Sequence, residues 1–98
     1  MSVITICAIL KAKPGHENQL RDELLKLIEP SRAEKGCIQY KLHKSLEENG
    51  TFVFYESWAD ENAIISHVNT DHYQTYRKNI ETIIDNMNVY HLENMNHN

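Results

Sequence analysis

One carboxylate lies on an otherwise apolar strand face of this sequence. Residues 52–58 read FVFYESW, and alternation places Glu56 between Phe54 and Trp58. A carboxylate in such surroundings costs free energy unless it has a partner. The pattern therefore indicates a substrate-facing acid or base, or a group that orients a histidine. The structural alternative is that Glu56 pairs with a lysine or caps a neighbouring helix.

Two histidines, His67 and His72, flank a predicted junction between two short helices. Side chains at such a junction commonly line the mouth of a cavity, and an imidazole titrates near neutrality. Either histidine is therefore a candidate base for a phenolic or enolic hydroxyl. A structural role, in which one of them caps the helix break, stays open.

Aromatic side chains surround these candidates in the predicted fold. They could enclose a pocket with their rings, and the tyrosines could offer hydroxyl groups. Core packing is the alternative interpretation, above all for Tyr76 and Trp58. We predict Glu56, His67 and His72 as catalytic residues. The predicted substrate-binding residues are Tyr40, Phe54, Trp58, Tyr73 and Tyr76.

We predict neither a metal site nor a cofactor site. His67 and His72 are five residues apart, which on one helix would separate their rings, whereas zinc-binding pairs usually lie three or four apart. The sequence contains no glycine-rich phosphate loop, no Gly-x-Ser-x-Gly and no Cys-x-x-Cys. A chain of this size also leaves little room for a cofactor.

Composition restricts the remaining classes of protein. The chain has 98 residues, 41% of them hydrophobic, and a formal net charge of −4, which suits one domain with a modest core. Its acidity argues against nucleic acid as a partner, and no apolar run approaches the ~18–20 residues that cross a membrane. Residues 3–10 indicate a strand rather than a signal peptide. Because Cys7 and Cys37 are too few for a disulfide framework, we expect reduced thiols and a cytoplasmic protein.

Hydrophobic periodicity and turn residues divide the chain into strands and helices. Asn49-Gly50 indicates a hairpin turn, Pro30 ends or kinks the first helix, and Asp60 and Thr70 are N-caps. The predicted strands are 2–10, 37–45, 51–59 and 88–93, and the predicted helices are 17–28, 61–67 and 71–84.

The resulting order is β-α-β-β-α-β, an α+β, ferredoxin-like plan with an antiparallel sheet. Helices can cover one face of such a sheet, yet the first and third strands are apolar on both faces. A twin sheet from a second copy is the simplest cover, so we predict a homodimer packed through its sheet faces. We expect a single domain over residues 1–94 and a polar tail over 95–98.

Four segments, in this order along the chain, resemble the antibiotic biosynthesis monooxygenase domain family: KPG at 13–15, EKGCIQY at 34–40, FYESW at 54–58 and HVNTDHY at 67–73. The resemblance covers nearly the whole chain. It implies a dimeric α+β barrel with a pocket between sheet and helices in each subunit. Some members of the family oxidise quinols or dihydroxyaromatics to quinones with dioxygen and neither metal nor flavin.

On this resemblance, we expect a cofactor-independent monooxygenase acting on a quinol or related hydroxyaromatic. His67 or His72 would be the base and Glu56 its partner. Haem degradation is disfavoured, because Arg77 stands where that branch has its haem-binding histidine. An isomerase of a phosphorylated autoinducer-type sugar stays open, with Lys41, Lys44, Arg77 or Lys78 as the phosphate-binding cation, and so does a non-catalytic small-ligand-binding protein.

Overall fold

The computed structural model describes residues 3–96 and contains one four-stranded antiparallel sheet in the order β2-β3-β1-β4. The strands are β1 (Ile4–Ala12), β2 (Cys37–Lys44), β3 (Thr51–Trp58) and β4 (Ile84–Leu92). The helices are α1 (Glu17–Lys26), α2 (Ile28–Arg32), α3 (Glu61–Val68) and α4 (Asp71–Ile80). This topology confirms the predicted ferredoxin-like α+β fold, with each of its two helical segments divided in two. Residue 1, residue 2 of the predicted first strand, and residues 97 and 98 of the predicted tail lie outside the described residues.

The central strands β1 and β3 bring the polar and aromatic candidates onto one surface. Their register pairs Ile6 with Glu56 and Ala8 with Phe54, and β4 places Val89 opposite Ala8. Directly paired residues project from the same face of a sheet. These side chains therefore form one continuous floor beneath the helices.

The predicted hairpin turn joins β2 to β3. Its closing residue, Gly50, has a φ of +82°, a conformation that side-chain-bearing residues rarely adopt. The Gly50 carbonyl accepts a hydrogen bond from the Ala12 amide at 2.9 Å. The turn thus also ties the β2–β3 hairpin to the end of β1.

The first helical segment breaks earlier than the sequence predicts. α1 ends at Lys26, and Pro30 is the third residue of the short helix α2. The first turn of a helix has no internal acceptors for its amides, so proline is tolerated there. The break therefore lies at Leu27, before the proline rather than at it.

Both predicted N-caps of the second helical segment are confirmed. The Asp60 carboxylate accepts from the Ala63 amide at 2.9 Å, and the Thr70 hydroxyl accepts from the Tyr73 amide at 3.2 Å. A side-chain cap fixes where a helix starts. The two caps make α3 and α4 separate helices with a bend between them.

The end of the chain differs from the prediction of a helix to residue 84 and a strand from residue 88. α4 ends at Ile80 and β4 begins at Ile84, which is paired with Ala12 of β1. Ile80, Ile83 and Ile84 have helical spacing, yet Ile83 is buried in the turn and Ile84 starts the strand. Pairing with β1 along the edge overrides the local helical pattern.

The sheet buries one face against the helices, whereas no part of residues 3–96 covers the other. Tyr55 of β3 and Tyr90 of β4 alternate with helix-facing residues and are 40% and 51% exposed. The third strand therefore carries large apolar side chains on both faces, as expected, with Phe54 buried and Tyr55 exposed. No helix within the described residues is long and apolar enough to span a membrane.

Candidate active site

A cavity of about 130 Å³ lies between the sheet and the helices α3 and α4. Its lining is mostly apolar and aromatic, with a small number of polar groups. It consists of Ile6, Ala8, Tyr40, Phe54, Glu56, Ile64, His67, Val68, Tyr73, Tyr76, Met87, Val89 and His91. A concave apolar site with few polar groups is the usual form of a small-molecule pocket.

Strand alternation sets which side chains reach this cavity. Phe54 and Glu56 are two residues apart on β3 and share its helix-facing side, as do Met87 and Val89 on β4. The contribution of β4 was missing from the sequence predictions. The alternating positions of Met87, Val89 and His91 along the strand are the sequence pattern that could have predicted this contribution.

Glu56 lies on the floor of the cavity and is 5% exposed. Its Oε1 accepts a hydrogen bond from Nε1 of Trp58 at 2.8 Å. Burial raises the pKa of the Glu56 carboxyl to about 7, and the Trp58 hydrogen bond opposes this rise. Among the described residues, Glu56 pairs with neither a lysine nor a histidine, so the expectation that it partners His67 or His72 is wrong.

Of the two predicted histidines, His67, near the end of α3, is the one that lines the cavity. It is 2% exposed, and its Nδ1 lies 2.7 Å from Oε2 of Glu34. Burial lowers the pKa of His67, against the opposing effect of Glu34. Because an ionised Glu34 can only accept, we assign the proton to Nδ1 and the lone pair to Nε2.

Glu34 is the carboxylate that contacts both histidines, and the sequence did not single it out. Its Oε2 also lies 2.7 Å from Nε2 of His72. Glu34 stands in the irregular segment between α2 and β2, where no periodicity assigns a face. Gly36 allows this segment to pack closely on α3, since a Cβ there would overlap that of Ala63.

His72 lies outside the cavity, at the start of α4. Its side chain is 25% exposed and lines a surface groove. On one continuous helix, the five-residue separation from His67 would keep the two rings apart. The bend between α3 and α4 instead brings the ring centroids of His67 and His72 to within 6.2 Å of each other.

The predicted aromatic residues are placed in two groups. Tyr40, Phe54, Tyr73 and Tyr76 line the cavity. Trp58 is fully buried behind the cavity, and the centroid of its indole lies 4.4 Å from the centroid of the His67 ring. Burial raises the pKa of the Tyr40 and Tyr76 hydroxyls far above their usual range, so both remain neutral.

Within residues 3–96, one group of potential metal ligands converges. The ligand atoms of Glu34, His67 and His72 all lie within 4.8 Å of one another. In the structure, hydrogen bonds between the carboxylate and the two imidazoles link the three groups.

Comparison with known proteins identifies the family. The family model described as antibiotic biosynthesis monooxygenase matches residues 3–79. "Putative monooxygenase YcnE" of Bacillus subtilis is 38% identical over 74 residues, which are 76% of this chain and 78% of that protein. The crystal structure of PA3566 from Pseudomonas aeruginosa has a TM-score of 0.94 at 35% identity, covering 97% of this chain and 96% of the other. The chain therefore belongs to the antibiotic biosynthesis monooxygenase family, as its four motif segments predict.

Proposed function

We propose that this protein is a cofactor-independent monooxygenase that oxidises a quinol or related hydroxyaromatic with dioxygen. The observation that carries the proposal is the position of His67. It lines an aromatic cavity while its Nδ1 is held by Glu34 at 2.7 Å. This arrangement leaves Nε2 available as a base toward a bound hydroxyl, with the tautomer fixed by the carboxylate.

His67 begins the reaction by removing the hydroxyl proton of the substrate through Nε2. The phenolate is electron-rich enough to transfer one electron to dioxygen, which gives an aryloxyl radical and superoxide. These combine at a ring carbon that bears hydrogen and form a C–O bond. The protein contributes the base, the orientation and an enclosed apolar site.

Glu56 serves the second half of the reaction. With a pKa of about 7, its carboxyl can protonate the ring-bound peroxide and then, as carboxylate, take the proton from the same ring carbon. Cleavage of the O–O bond leaves a C=O group on the ring. The departing hydroxide takes the proton held by His67 and leaves as water, so one oxygen atom enters the product.

The dimensions of the cavity favour a compact substrate. A cavity of about 130 Å³ is comparable to the roughly 150 Å³ apolar cavity that holds one benzene molecule. Val89 and His91 line the cavity from the exposed edge strand β4. We therefore expect a single-ring hydroquinone to fit inside and a second ring to project past β4.

The phosphosugar isomerase is the less supported function. A phosphate requires cations, yet the described cavity lining contains Glu56 and neither lysine nor arginine. Lys41 and Lys44 are exposed on β2. Arg77 lies beside the cavity wall at Tyr73: its Nη1 donates to the Tyr73 hydroxyl at 3.0 Å, and its guanidinium lies 5.9 Å from the centroid of the Tyr73 ring.

We also propose that two copies pair through their uncovered sheet faces. Tyr55, Tyr90 and Leu92 project from this face and are exposed. A contiguous apolar patch of this kind usually marks an interface, and a face that pairs with itself gives a twofold dimer.

We place the protein in the cytoplasm, because Cys7 and Cys37 are free thiols and reduced cysteines are typical of that compartment.

Oxygen uptake by the metal-free protein with a panel of hydroquinones and dihydroxynaphthalenes tests the function. We expect uptake that persists in the presence of a chelator, together with the absorbance of a quinone product. Absence of uptake across the panel would overturn the proposal. Thermal stabilisation by phosphorylated sugars would then favour the isomerase, and stabilisation by a panel compound without turnover would favour a binding protein.

A further inference from the structure

We propose that Glu34, His67 and His72 form an inhibitory binding site for a divalent transition-metal ion of the zinc type. The inference rests on the proposed function, in which His67 is the base. It adds a cation site on the side of His67 that faces away from the cavity, where a bound ion would withdraw the base from the reaction.

The geometry of the three groups fits a small cation. His67 Nδ1 and His72 Nε2 each lie 2.7 Å from the same oxygen of Glu34. Zinc bonds to nitrogen and carboxylate oxygen are ~2.0–2.2 Å long, and a tetrahedral centre separates its ligands by somewhat more than 3 Å. Each of these two contacts needs to widen by well under 1 Å, which a rotation of the carboxylate can supply. The two imidazole nitrogens, which lie within 4.8 Å of each other, need to reach the same separation by small changes in ring orientation.

The chemistry of the donors is also suitable. Two imidazoles and one carboxylate are a common ligand set for zinc and its neighbours, with a fourth position open to water. The ligands come from three separate segments, the α2–β2 connection, α3 and α4, so the fold holds them together without the ion. Side-chain exposure rises from 3% at His67 to 13% at Glu34 and 25% at His72, which provides an entry path from the surface.

Binding at Nδ1 changes what His67 can do in the cavity. In the metal-free protein Nδ1 carries the proton and Nε2 carries the lone pair. When a cation occupies Nδ1, the neutral imidazole must carry its proton on Nε2. The base that faces the substrate thereby becomes a hydrogen-bond donor, and removal of the hydroxyl proton stops.

Cobalt(II) and zinc(II) titrations of the full chain test the site. We expect one Co²⁺ per chain with the visible absorption of a tetrahedral centre, and displacement by Zn²⁺. His72→Gln removes a partly exposed ligand and should weaken binding at least ~100-fold, since even outer-shell partners contribute about 10–100-fold. His16→Gln is the matched control, because His16 is a half-buried histidine whose side chain hydrogen-bonds Gln19 of α1 rather than any of the three ligands, and its binding curve should match that of the wild type.

The consequence for His67 is measured separately from turnover. We expect ¹⁵N spectra with Zn²⁺ to show a metal-bound Nδ1 and a protonated Nε2 in His67. Zn²⁺ should suppress oxygen uptake by the wild type and spare His72→Gln at the same concentration, each relative to its own metal-free rate. Equal binding of the metal by the wild type and His72→Gln would overturn the site. Stimulation of oxygen uptake by Zn²⁺, or a His67 spectrum that Zn²⁺ does not change, would overturn the inhibitory role. If no substrate is turned over, the proposed function fails, and the Co²⁺ titration and the ¹⁵N spectra still decide the cation site.

Discussion

The indole of Trp58 donates a hydrogen bond to Glu56 from the same strand, with 2.8 Å between Nε1 and Oε1. Both side chains project toward the helices because they are two residues apart on β3. The tryptophan therefore acts on the carboxyl group from behind the cavity rather than forming its wall. The site thus contains two carboxyl groups in different positions, Glu34 in contact with His67 and Glu56 on the floor of the cavity.

Replacing Trp58 with phenylalanine removes the donor to Glu56 and keeps an aromatic ring. The hydrogen bond opposes the effect of burial on Glu56, so we expect the pKa of Glu56 to rise above about 7 in Trp58→Phe. Carbon-13 NMR of the glutamate side-chain carboxyls across a pH titration measures this shift. An unchanged or lower Glu56 pKa would show that the indole does not stabilise the ionised form.

Replacing His67 with glutamine should abolish most of the oxygen uptake. Glutamine retains a donor toward Glu34 and lacks the basic nitrogen, and a positioned general base contributes ~10²–10⁴-fold to the rate. We expect kcat to fall by about that factor with little change in KM. His16→Gln carries the same substitution at a half-buried position that does not line the cavity and should keep the wild-type kcat. A wild-type rate in His67→Gln would remove His67 from the mechanism.

Glu56 should make the protein less stable as the pH rises. Its folded pKa of about 7 exceeds the ordinary value of 4.5, so between these values the folded state binds more protons than the unfolded state. The contribution of Glu56 to the free energy of unfolding is therefore fully present below about pH 4.5. It is lost as the pH rises through 7, and the loss amounts to roughly 3 kcal/mol. Urea unfolding of the wild type and Glu56→Gln at fixed protein concentration measures the difference, and the variant should lack this loss. Parallel pH profiles for the two proteins would contradict the expectation.

An acidic residue on the uncovered sheet face should separate the two copies. Tyr55 is 40% exposed in the isolated chain, so Tyr55→Asp would bury a charge only in the dimer. We expect sedimentation equilibrium to give a dimer for the wild type and a monomer for the variant at micromolar concentration. Ile65→Asp, which changes an exposed residue on α3, is the matched control and should remain dimeric. A monomeric wild type would refute the pairing of the sheets.

Local patterns predicted most of the fold and only part of the site. Alternation placed Glu56 on the same face of β3 as Phe54 and Trp58, and the Asp60 and Thr70 caps located α3 and α4, because these features depend on neighbours within a few residues. The contact between Glu34 and His67 joins residues 33 positions apart, and Glu34 lies in an irregular segment where periodicity carries no information. Alternation also gives the face on which Trp58 lies and not its depth, so its position behind the cavity could not be predicted.

The close approach of Gly36 to Ala63 should control the Glu34–His67 contact. A methyl group at Gly36 would overlap the Ala63 side chain, so Gly36→Ala must push the α2–β2 segment away from α3, which carries His67. Overpacking of this kind costs about 1–3 kcal/mol, and each kcal/mol lowers the Tm of a domain of this size by roughly 4–8 °C. We expect Gly36→Ala to lower both the Tm and the rate of oxygen uptake. Adding Ala63→Gly removes the overlapping Cβ and should restore part of the Tm and part of the rate of oxygen uptake. Ala63→Gly alone should not raise the rate. A double variant no better than Gly36→Ala would show that this contact does not set the position of Glu34.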